Sequence, residues 1–77
     1  QHLEDIMKIS ARNVLKGKVL QITEGAVNSE VVMEVAPGVR IVSIITKNSA
    51  RNLGLKEGVE AYAVIKASSV LVGVDGD

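Results

Sequence analysis

The 77-residue sequence contains no cysteine, no tryptophan and no phenylalanine, and only one tyrosine, one histidine and one proline. Without cysteine there is neither a disulfide framework nor a thiolate zinc site, and the composition fits a reducing compartment. The lone histidine, His2, has no companion ligand near it. No apolar run approaches the ~20 residues of a membrane-spanning helix, and the chain does not open as a signal peptide would. Nine Lys and Arg residues balance nine Asp and Glu residues, so total charge gives no pull toward nucleic acid or an anionic membrane. Single-strand binders stack bases on several aromatic rings in a basic groove, and Tyr62 alone cannot build such a platform. Nucleophile-elbow and phosphate-loop motifs are also missing. Glu30 and Glu34 have no catalytic companion and read as a solvated strand face. The expectation is a soluble, cytoplasmic, non-enzymatic protein with no nucleic-acid or membrane partner.

What the chain does have is Val and Ile, a β-branched bias that favours strands. Residues 14–22 read as a first strand, with Gly17 marking a bulge or a close backbone approach. Residues 27–35 form a second strand, in which Val31, Met33 and Val35 alternate with Glu30, Val32 and Glu34. Pro37-Gly38 makes a tight turn into a third strand at 40–45. Asn48 or Ser49 can then cap a short helix that Gly54 closes. A fourth strand follows at 60–65 and a fifth at 70–74. The resulting fold class is all-β: a small five-stranded barrel of OB type, with one short helix between strands 3 and 4. A chain this short buries only roughly 60% of the surface it exposes when unfolded. With no disulfide or structural metal in reach, subunit contacts are the support left to it.

Charge is unevenly distributed. Residues 6–23 hold Lys8, Arg12, Lys16 and Lys18 and no acid, and residues 61–74 hold Lys66 and no acid. Within these stretches lie two donor-rich clusters, Ser10-Ala11-Arg12-Asn13 and Lys66-Ala67-Ser68-Ser69. If they converge, within a chain or across a subunit boundary, the pocket is rich in donors and poor in obligate acceptors. Such a pocket suits a fully deprotonated oxyanion such as sulfate, molybdate or tungstate. Monohydrogen phosphate would bring an O–H in need of an acceptor. A solvated loop and a polar connection are the competing readings of the same residues.

The strings MKISARNVLKGKV, EGAVNSEVVMEV, IVSIITKNSARNLGLKEG and AYAVIKASSVLVGV, in that order, resemble the Mop or molbindin family of small molybdate-binding (TOBE-type) domains over nearly the whole chain. The resemblance implies an OB-type barrel assembled as a homo-oligomer, a hexamer arranged as a trimer of dimers. It further implies molybdate or tungstate held between subunits, for storage, homeostasis or sensing, with no other cofactor. Carried over, the oxyanion-binding residues are Ser10, Ala11, Arg12 and Asn13 from one segment and Lys66, Ala67, Ser68 and Ser69 from the other. Arg12 and Lys66 supply charge, Ser10 and Ser68 hydroxyl donors, and Ala11 and Ala67 backbone N–H groups. Asn13 either joins them or stabilises the turn. No metal is ligated directly by side chains.

SARN occurs a second time, at Ser49-Ala50-Arg51-Asn52. There it follows helix grammar and departs from the acidic face usual in the family, so it reads as a helix turn exposing Arg51. Residues 1–6 read as a linker or a cloning remnant and residues 7–77 as a single domain, with Met7 a plausible start. The alternative is a ligand-sensing module of a larger molybdate-responsive transcription regulator or transporter ATPase.

Overall fold

The computed structural model describes residues 12–76. Four strands, β1 (Asn13–Glu24), β2 (Asn28–Ala36), β3 (Val39–Thr46) and β4 (Glu60–Ile65), form one antiparallel sheet in the order β3-β2-β1-β4. A six-residue helix, α1 (Lys47–Asn52), separates β3 from β4. The architecture is all-β, a curled OB-like half-barrel with one short helix. The expected fifth strand is not among the described elements. Residues 70–76 run without sheet pairing after a 3-10 turn at Ala67–Ser69.

Curling follows from two irregularities in register. β1 shifts against β2 between Val19 and Gln21, and β2 shifts against β3 between Glu34 and Ala36. Each inserts one extra residue, Leu20 or Val35, and such bulges bend a strand and raise its twist. The alternation expected through β2 therefore holds for Val31 and Met33, which are buried, but breaks at half-buried Val35. Gly17 lies where β1 and β2 come close. A Cβ built there would stand 2.6 Å from the Glu34 carbonyl oxygen and 3.0 Å from Val35 Cγ1. Of the two roles expected for Gly17, the structure shows the close approach.

Pro37-Gly38 forms the expected turn, with Gly38 at φ 75°, a conformation that glycine adopts without a steric cost. The helix cap differs from expectation. Thr46, the last residue of β3, is the N-cap, and its hydroxyl accepts from the Ser49 amide at 3.0 Å and donates to Ser49 Oγ at 2.8 Å. Thr46 is still extended, so its side chain can turn back onto the third helical residue, which Asn48 and Ser49, already helical, cannot do. Gly54, at φ 67°, closes the helix as expected.

The concave face holds a core of Val19, Val31, Met33 and Ala63, flanked by Ile22, Ile41, Ile45, Leu55 and Ala61, and Ala50 is the buried residue of the helix. These are modest side chains. Leu15, Val42, Ile44, Val64 and residues 70–72 and 74 remain substantially exposed, so much of the apolar surface is not used by the chain's own core.

Candidate functional site

The two donor-rich segments meet because β1 pairs with β4. In that antiparallel ladder the first residue of β1, Asn13, faces the last residue of β4, Ile65. Arg12 immediately precedes one and Lys66 immediately follows the other, so both cations emerge at the same end of the sheet. Asn13 also joins the strands through its side chain, with Nδ2 donating to the Ile65 carbonyl oxygen at 3.3 Å. A primary amide has two N–H donors and an acceptor oxygen, so this clasp leaves a second donor available at the strand end.

After Lys66 the backbone tightens into the 3-10 turn. The Ser69 amide donates to the Lys66 carbonyl at 2.9 Å and the Val70 amide to the Ala67 carbonyl at 3.2 Å. Ala67 and Ser68 donate no backbone N–H bond among the described residues. Ala67 carries only a methyl group, so a ligand could approach the turn's backbone closely. Arg12, Asn13 and all of 66–69 are exposed. Ser10 and Ala11 lie outside the described residues.

The local field is positive. The ion pairs among the described residues are Lys16 to Glu60 at 3.8 Å and Arg51 to Glu24 at 3.7 Å, and neither involves Arg12 or Lys66. Glu60 lies at the far end of the β1–β4 ladder, opposite Lys18. Two cations, two serine hydroxyls, an amide and backbone N–H groups thus share one sheet end, and among the described residues no carboxylate pairs with either cation. Such a set can hold an anion by charge-assisted hydrogen bonds. No group of three or more His, Cys, Asp or Glu side chains among the described residues could hold a metal ion, and no described helix is long and apolar enough to cross a membrane.

The sequence left open whether the two segments meet within a chain or between chains. Within this chain, Arg12 and Asn13 adjoin the 66–69 segment. The site is open rather than enclosed. The concave cavities, of about 360 and 310 Å³, are lined mainly by apolar residues such as Met33, Ile45 and Leu55 and do not include Arg12 or Lys66. The clasp from Asn13 to Ile65 was not legible beforehand, because nothing in the sequence specifies which strand pairs with β1 or in what register. The second SARN is helical, with Arg51 exposed and paired with Glu24. Glu30 and Glu34 lie on β2 opposite Ile44 and Arg40, and the Glu34 carboxylate accepts from the Gly38 amide at 3.4 Å.

Comparisons with known proteins match this fold. The TOBE domain family model matches residues 9–72. Molybdenum-pterin-binding protein 3 of Clostridium pasteurianum is 52% identical over 66 residues, covering 86% of this chain and 97% of that protein. MopII from Clostridium pasteurianum superposes with a TM-score of 0.81 at 49% identity, over 87% of this chain and 100% of MopII. The cytoplasmic molybdate-binding protein ModG, solved with molybdate bound, gives a TM-score of 0.86 at 47% identity, over 94% of this chain and 51% of ModG.

Proposed function

Because this chain is a TOBE domain and belongs to the family of molybdenum-pterin-binding proteins, we propose that it binds molybdate or tungstate without chemical turnover, at the sheet end where β1 begins and β4 stops. The observation that carries this reading is the pairing of Asn13 with Ile65, which brings Arg12 and Lys66 to one sheet end where neither is paired with a described carboxylate. Arg12 and Lys66 offset the dianion's charge. Ser10, Ser68, Ser69 and the second N–H of Asn13 donate to its oxygens, as do the amides at Ala11 and Ala67. Every group in this set can donate and none is an obligate acceptor, so the site favours a ligand that accepts at every oxygen. Fully deprotonated oxyanions meet that condition at no cost, whereas monohydrogen phosphate would have to turn one of the hydroxyl or amide groups into an acceptor.

The site is completed by other copies of the chain, in a hexamer arranged as a trimer of dimers. The openness of the single-chain site supports this reading, because a dianion held by exposed donors alone keeps much of its hydration and gains little. A second copy over the sheet end would exclude water and add donors. Anion and assembly then stabilise one another by linkage. The role is intracellular storage, buffering or sensing of the oxyanion in the cytoplasm.

Isothermal titration with molybdate, tungstate, sulfate and phosphate tests the proposal. Molybdate and tungstate should bind clearly more tightly than sulfate, and phosphate least. Equal weak binding of all four would overturn it. A second reading, a sensing module within a longer regulator or transporter chain, is favoured by one observation: this chain covers only 51% of ModG, so the same domain serves inside a larger protein.

A further inference from the structure

We draw no further inference here: the strongest candidate, the apolar cavity of about 360 Å³ between β3, β4 and the end of α1, lined by Met33, Ile45, Leu53, Leu55 and Tyr62, carries nothing because nothing in the structure shows what covers it.

Discussion

Asn13 and Ile65 face one another at the terminal rung of the β1–β4 ladder, joined a second time by the Asn13 side chain donating to the Ile65 carbonyl at 3.3 Å. This contact brings residues 52 positions apart in sequence to one sheet end and fixes where Arg12 and Lys66 emerge. It ties the fold to the proposed site more directly than any other single contact.

The two Asn13 variants should separate these roles. Asn13→Ala removes the clasp and one donor, and an exposed neutral hydrogen bond of this kind is worth roughly 0.5–1.5 kcal/mol of stability. Asn13→Asp removes the same donor and adds a carboxylate among groups meant for a dianion. Thermal unfolding should therefore show similar losses for both, whereas titration with molybdate should show Asp much the weaker binder. Equal affinities would place Asn13 outside the site.

The repeated SARN allows an internal control. Arg12→Ala should weaken molybdate binding at least tenfold by calorimetry, because it removes charge from the acid-free sheet end. Arg51→Ala breaks only an exposed pair with Glu24 at 3.7 Å, and such pairs contribute little. Its affinity should match the parent protein within error. If the two variants behaved alike, the site would have to be sought elsewhere.

Gly17→Ala should destabilise the fold by roughly 1–3 kcal/mol, the usual range for forcing atoms into a packed region. The added methyl group would meet the Glu34 carbonyl oxygen at 2.6 Å, and backbone in a sheet cannot yield as a side-chain tip can. Chemical denaturation would measure the loss, and an unchanged midpoint would show that β1 and β2 lie further apart than described.

Ser29 makes the opposite prediction. It is 1% exposed, and its hydroxyl has no hydrogen-bond partner among the described residues. A buried polar group left unpaired costs about 1–3 kcal/mol in desolvation. Ser29→Ala removes that cost at the expense of one small atom's packing. A rise of a few degrees in the melting temperature is expected, and a fall would mean that the hydroxyl has a partner after all.

Much of this was legible from local chemistry. The turn at Pro37-Gly38, the helix after β3 and the bounds of β4 follow from residues whose conformational limits act over a few positions. The helix cap was misjudged by two or three residues because Thr46 serves both strand and helix, and alternation alone reads it as strand. The fifth strand was expected from five apolar residues in a row, a pattern that reports propensity and not pairing. The single chain leaves that propensity unfulfilled at Val72 and Val74. The two donor-rich segments proposed to bind the anion stand out by their shared lack of acid, but their meeting depends on register, which no local signal encodes. Assignment of Ser10 and Ala11 rests on family likeness alone.

Tyr62 sits on β4, three residues before Ile65, and lines the cavity of about 310 Å³ together with Ile41, Ser43 and Ile45 of β3. With no tryptophan and no other tyrosine in the chain, all of the protein's near-ultraviolet emission comes from this one ring. The molecule thus carries its own optical gauge: ultraviolet excitation reads the surroundings of that cavity directly, with no dye attached and no competing signal to subtract.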